Sequence, residues 1–266
     1  MEKFKSLSSF PPAIKTMFLC VVSVSLWGVC LFYAVETSNN FFFIPLTILS
    51  YISFTPMHEA SHGAVAGSNS KFKFLERIVG FVSAITLFVP YPVFRVLHLR
   101  HHSFTNDPDK DPDYWIATRN PLVLVIKSLT MKGSYYYHIL FKPTEAMKSE
   151  MFSIVYSLGT YAAVIFYVEE NYGKGFELFK FWLGSSLLSI AFLAIVFDWL
   201  PHYPYNSTER YHNTKIINKP FLNYILLFQN YHLVHHLYPK IPFYLYGKVF
   251  FDIRKELEEK GSPIVD

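Results

Sequence analysis

Residues 57–63 read M-H-E-A-S-H-G, and they close an uncharged run that begins at Thr37. His58 and His62 stand four residues apart, so on a helix both imidazoles share one face. The intervening Glu59 completes H-E-x-x-H, the spacing with which zinc peptidases carry two ligands and a base. Working outward, Thr16–Val35, Thr37–Met57, Met151–Val168 and Phe181–Phe197 each hold 17 to 21 residues without a charge. Each is long enough to cross about 30 Å of hydrocarbon at about 1.5 Å per residue. The chain is 52% hydrophobic and only 17% charged, against about a quarter charged in a soluble domain. The expected fold is therefore all-α, a polytopic membrane protein with four transmembrane helices at about 16–35, 37–57, 151–168 and 181–200. No short apolar stretch with a small-residue cleavage site precedes the first run, which reads as a retained span.

Pairing the spans as two hairpins, with turns at Glu36–Asn40 and Glu169–Lys180, brings both termini and the stretch from His58 to Glu150 to one side. Of 24 Lys and Arg, 22 lie there, and only Lys174 and Lys180 fall in the opposite turns. The positive-inside rule makes the crowded side cytoplasmic. Anionic headgroups account for the net charge of +4, and no basic tract calls for nucleic acid. Cys20 and Cys30, the only cysteines, both lie in the first run, which excludes a disulfide scaffold or a cysteine metal site. Without repeat or linker, residues 1–266 read as a single domain. A fifth apolar run, Ile78–Phe94, is broken by Pro90 and Pro92 and reads as interfacial or re-entrant. Phe221–Gln229 is expected along the membrane surface or against the cytoplasmic part. The stretch D-I-R-K-E-L-E-E-K-G-S-P is expected to form a helix stopped by Gly261 and Pro263.

The histidines carry the function. H-L-R-H-H supplies His98, His101 and His102, and H-L-V-H-H supplies His232, His235 and His236. Positions i, i+3 and i+4 point two or three imidazoles in one direction, and two such units do not recur by chance. His202 follows the fourth span, as His58 follows the second. All these residues fall on the same side in a topology drawn from charge alone. Their nitrogens exceed the roughly four donors that one zinc accepts, so a cytoplasmic helical cap holding two metal ions, with four or five ligands each, fits the count. A zinc protease built from His58, His62, Glu59 and Asp198 would leave the six histidines of the two H-x-x-H-H units unused. Glu59 reads instead as a partner that orients a ligand's outer ring nitrogen. Imidazole alone does not choose among zinc, copper, iron and nickel. A paired site beneath lipid suits hydrocarbon oxidation by iron and dioxygen, with Asp198 available to offset metal charge.

These boxes, written here H-E-A-S-H, H-L-R-H-H and H-L-V-H-H, resemble those of the membrane fatty acid desaturase and hydroxylase superfamily. The phrases H-L-R-H-H-S-F-T-N-D-P-D-K-D-P-D-Y-W, D-W-L-P-H-Y-P and Q-N-Y-H-L-V-H-H-L-Y-P-K-I-P-F-Y-L-Y are most similar to the β-carotene ring hydroxylases. The likeness runs from about residue 55 to the end. It implies two non-haem irons, O2 as co-substrate, and electrons from a ferredoxin-like or cytochrome b5-like protein docking at the cytoplasmic face. The implied ligands are His58, His62, His98, His101, His102, His202, His232, His235 and His236, with Asp198 at a position that in acyl desaturases contacts metal through water. The implied reaction is hydroxylation of a carotenoid ring; the alternative is an acyl-lipid desaturase or hydroxylase. A metal-handling membrane protein is the reading without catalysis.

Two features fall outside this pattern. Asp107, Asp109, Asp111 and Asp113 alternate as in a calcium loop, but Pro112 and Thr118 occupy the glycine and acidic places. An aspartate-braced turn is expected there, with some carboxylates orienting His101 or His102. His138 reads as interfacial, and His212 reads as a surface residue.

Overall fold

The computed structural model describes residues 12–67 and 70–266, so Lys3 and Lys5 of the basic side lie outside the described residues. The first uncharged run forms α1 (Ile14–Thr37), which ends on Ser38 in the left-handed region. A 3-10 turn at Asn40–Phe42 leads into α2 (Phe43–His62), so the second span starts later than its charge-free run and carries through both histidines. Next come α3 (Lys73–Thr86) and α4 (Tyr91–Phe104), then α5 (Pro121–Phe141), α6 (Glu145–Ser149), α7 (Met151–Tyr172) and α8 (Gly175–Leu193). A π-type segment, Ala194–Trp199, carries α8 into α9 (Leu200–His202). Pro201 has no N–H to return to residue 197, and the widened turn accommodates that loss. Short helices α10 (Leu222–Ile225) and α11 (His232–Leu237) precede α12 (Tyr246–Glu259).

Among the described residues four helices are long and apolar enough to cross a membrane: α1, α2 with its 3-10 turn, α7, and α8 through α9. Their outward faces carry Phe18, Val21, Phe32, Phe152, Val155 and Phe166, all more than half exposed, as lipid contact requires. The chain is an all-α integral membrane protein, and its only strands among the described residues are Ile216–Ile217 and Ile264–Val265, paired in parallel. The second turn is much shorter than its charges suggest. Only Gly173 and Lys174 separate α7 from α8, because the flanking charges sit on helix ends and are partnered there. Lys180 pairs with Glu177, and Lys174 donates to the Val35 and Glu36 carbonyls that end α1 (3.3 and 3.2 Å). That contact ties the two hairpins together on the side away from the histidines.

The fifth apolar run is a sharply bent pair of helices. α3 and α4 meet at 104°, with Pro90 and Pro92 opening α4 and Gly80 lying where a Cβ would strike the Tyr91 ring. A broken helix at membrane depth survives only if its freed carbonyls are paired within the protein. Here four different helices do so. Trp182 of α8 donates to Ile85, Ser50 of α2 to Thr86, Lys132 of α5 to Leu87, and Tyr161 of α7 to Val89.

Two elements depart in detail from the sequence reading. α5 is a 21-residue helix capped by Asn120, whose Oδ1 accepts from Leu122 and Val123; Lys127 and Lys132 hide it from a search for uncharged runs. Phe221–Gln229 holds only the single turn α10 and reaches α2, where Tyr51 donates to the Ile225 carbonyl (2.6 Å). α12 ends as expected, with Gly261 at φ +68. Its buried face joins Tyr231, Leu233, Val234 and Leu237 in a separate apolar core, the platform on which α11 sits.

Candidate metal centre

α2, α4, α9 and α11 bring nine imidazoles to one end of the bundle, and the helical spacing divides them. His58, His62, His98, His102 and His235 form one group; His101, His202, His232 and His236 form the other. Within each group the ligand-capable atoms lie within 4.8 Å of one another. Every i, i+4 pair stays together, whereas the ring at i+3, set about 100° round the helix from its neighbour at i+4, crosses to the other group. The H-L-R-H-H unit thus gives two rings to the first group and one to the second, and H-L-V-H-H does the reverse. His102 and His236 stack at 4.2 Å where the groups meet.

Inward-facing nitrogens converge. The Nε2 atoms of His62 and His98 are 2.8 Å apart, those of His102 and His235 2.9 Å, and those of His202 and His232 3.1 Å. Several outer nitrogens are engaged elsewhere. His101 Nδ1 donates to both oxygens of Asp111 (2.9 and 3.0 Å), with Asp113 at 3.6 Å. His202 Nδ1 donates to Asn106 Oδ1 (3.1 Å). The amide orientation follows from its other bonds, since Nδ2 donates to the Ser207 and Asn213 carbonyls. His235 Nδ1 donates to the Tyr246 hydroxyl (2.9 Å), which donates in turn to Glu59 Oε1 (3.3 Å). With protons fixed outward on His202 and His235, bare lone pairs face neighbouring nitrogens, an arrangement that calls for a cation between them. His58 Nδ1 is buried without a protein partner. Outer-nitrogen hydrogen bonds of this kind orient metal-binding histidines, so the residues fit two metal ions.

The electrostatics agree with that fit. Burial, then the neighbouring imidazoles, hold His102, His235 and His236 well below the usual histidine range, neutral as ligation requires. His101 differs. Burial would lower it too, but Asp111 and Asp113 outweigh burial and raise it to about 9, so ligation there would displace a proton. Asp198, on the π-type segment, is close enough to add to that effect, though it belongs to neither imidazole group.

Glu59 touches no imidazole directly. Its carboxylate accepts from Thr16, from the Phe243 N–H and from Tyr246, and it reaches His235 only through the tyrosine. Three donors hold this fully buried carboxylate in place, the setting of a structural partner rather than of a peptidase base open to water. The alternating aspartates divide: Asp111 and Asp113 face His101, while Asp107 braces the turn by accepting from Asp109 and Lys110 N–H groups. His138 donates to the Ser134 carbonyl, and His212 to that of Lys260; both lie outside the groups. Asn106, Tyr246 and Gln229, which accepts from His232 (3.3 Å), escape a sequence search, because nothing in their spacing marks them.

An apolar cavity bounded by α2, α4, α5 and α8 reaches this end of the bundle. Met57, Phe94, Tyr135 and Phe197 line it, and His98 and Asp198 stand in its wall.

A family model described as fatty acid desaturase matches residues 37–266. Dihydrorhizobitoxine desaturase of Bradyrhizobium elkanii is 26% identical over 223 residues, which cover 73% of this chain and 61% of that protein. An sn-1 acyl-lipid omega-3 desaturase (ferredoxin) of Synechocystis is 23% identical over 248 residues, covering 80% of this chain and 68% of its own length. The match thus spans less than two thirds of the first relative and little more of the second. These similarities support the acyl-lipid alternative better than the carotenoid-ring expectation.

Proposed function

The chain belongs to the fatty acid desaturase family, and on that premise we propose that it is an O2-dependent di-iron oxidoreductase acting on the hydrocarbon chain of a membrane lipid, as an acyl-lipid desaturase or hydroxylase. One observation carries the reading: nine imidazoles parted five and four, several with their outer nitrogens held, beside an apolar cavity whose wall includes His98. His58, His62, His98, His102 and His235 would hold one iron, and His101, His202, His232 and His236 the other. Two irons so bound would supply, with O2 and two electrons, the power to take hydrogen from an unactivated carbon.

The chain's own residues set the conditions for that chemistry. Asn106 and the Tyr246–Glu59 pair fix His202 and His235 as Nε2 donors. Asp111, Asp113 and Asp198 offset positive charge beside His101. The cavity walls exclude water and bring a hydrocarbon to the histidine end. Electrons come from a ferredoxin-like or cytochrome b5-like protein at the histidine face, which the positive-inside rule turns to the cytoplasm. Ring hydroxylation of a carotenoid is the second reading, favoured by the phrase that runs from Gln229 to Tyr246. The occupied carboxylate of Glu59 argues against the protease.

Expression in a bacterium that makes β-carotene, followed by lipid and pigment analysis, tests the assignment. The expected result is two irons per chain and oxygen-dependent change in acyl chains with pigment unaltered. Appearance of hydroxylated carotenoid would move the assignment to the second reading. Zinc in place of iron, with peptide cleavage lost in Glu59→Gln, would overturn both.

A further inference from the structure

Lys132 of α5 is the one lysine in the wall of the apolar cavity that reaches His98 and Asp198. The residue is 8% exposed. Its Nζ donates to Ser186 Oγ (2.9 Å) and to the Leu87 carbonyl (3.2 Å), and lies 4.9 Å from the centre of the Phe88 ring. Among the described residues no carboxylate pairs with it. Capping the bend requires a donor but not a charge, since Ser50 and Tyr161 serve Thr86 and Val89 with neutral hydroxyls. Buried charges are ordinarily paired, so a lone ammonium in an apolar cavity asks for a ligand. Burial pushes Lys132 down to about 7, and an acceptor oxygen arriving at Nζ would restore its charge.

The geometry sets the scale of that ligand. Lys132 is fixed to Ser186, midway along α8, while Asp198 lies at the metal end of the same helical path. The two positions are separated by about 18 Å at about 1.5 Å per residue. The cavity therefore has a cationic end and an imidazole end, joined by apolar wall.

We propose that Lys132 binds an oxygen-bearing end of the lipid substrate, a hydroxyl, carbonyl or carboxylate, while the attached hydrocarbon fills the cavity and reaches the imidazole groups. The proposal rests on the lipid-oxidation reading and deepens it: the lysine anchors the chain, and its distance from the histidines selects which carbon is presented.

The test is competitive binding to the full purified chain in detergent micelles, with tritiated dodecanol displaced by dodecane, dodecanol or dodecanoate. The wild type is expected to hold the alcohol and the carboxylate about tenfold or more tightly than the alkane, the value of one charge-assisted hydrogen bond. Lys132→Met is expected to bind all three alike. Lys132→Gln keeps a donor for Leu87 and controls for folding; it should retain the wild-type melting temperature and lose the preference for carboxylate over alkane. Carboxylate above alcohol identifies an anionic end, and equal affinity a neutral one. Equal wild-type binding of all three ligands, or an undiminished preference in Lys132→Gln, overturns the proposal. Iron measured on the same sample separates the two readings. Two irons without the preference sink only this one, whereas the preference without iron sinks the di-iron assignment and leaves the binding site.

Discussion

Tyr246 stands between a carboxylate and an imidazole, and removing its hydroxyl separates orientation from ligation. The ring is fully buried in the C-terminal apolar core, so Tyr246→Phe should fold normally while His235 loses the bond that directs its proton outward. Loss of such a partner typically weakens metal binding by about 10–100-fold. The expected outcome is reduced iron per chain after dialysis against a chelator, with unchanged membrane insertion; wild-type iron retention would show that the Glu59–Tyr246 pair plays no part in holding His235. His235→Ala goes further and is expected to abolish turnover while the protein still inserts. Turnover that survives this change would remove His235 from the ligand set. At this scale the sequence discloses candidate ligands better than their partners. H-L-R-H-H and H-L-V-H-H announce themselves through i, i+3 and i+4 spacing, but Asn106 meets His202 across 96 residues. A bond of that span leaves no periodic trace, and only the fold reveals it.

The bent pair α3–α4 shows how an element can be half legible. Pro90 and Pro92 mark the break, yet neither the 104° bend nor the four donors that make it tolerable can be read from local spacing. α5 escaped for the opposite reason, since its lysines look like loop residues. In the structure they cap carbonyls, Lys127 at Ala117 (2.8 Å) and Lys132 at Leu87. Charge is thus a poor sign of an element boundary wherever a cation can reach a chain end. Trp182→Phe tests the bend directly. It removes the indole donor to Ile85 while keeping an aromatic ring beside Trp27 and Phe88, leaving that carbonyl only the Phe88 N–H (3.1 Å) at a cost of about 0.5–1.5 kcal/mol. A lower melting temperature in detergent is expected, and an unchanged one would mean that the Phe88 N–H suffices for Ile85. Gly80→Ala should cost about 1–3 kcal/mol, because its methyl group must displace the Tyr91 ring on the facing arm.

Across the whole molecule, two apolar hairpins fix which side the histidines share, and a C-terminal core fixes where the last box stands within it. α11 buries Leu233, Val234 and Leu237 in that core, leaving His232, His235 and His236 to face α2, α4 and α9. The hairpin plan is legible because lipid demands long uncharged runs, and 22 of 24 cationic side chains on one side supply a direction. The turn between α7 and α8 was less legible, since Lys174 reaches back to α1 rather than extending the loop. The orientation expected from the same asymmetry is open to direct measurement. With Cys20 and Cys30 replaced by alanine, one cysteine can be placed at exposed Asn171, beside the second turn, and another at exposed Lys260, beyond α12. In intact bacteria a membrane-impermeant maleimide should label Asn171→Cys at once and Lys260→Cys only after permeabilisation. The reverse pattern would turn the histidine face outward and require a periplasmic electron donor. Labelling of both sites in intact cells would place Asn171 and Lys260 on one side of the membrane, which two antiparallel hairpins do not allow.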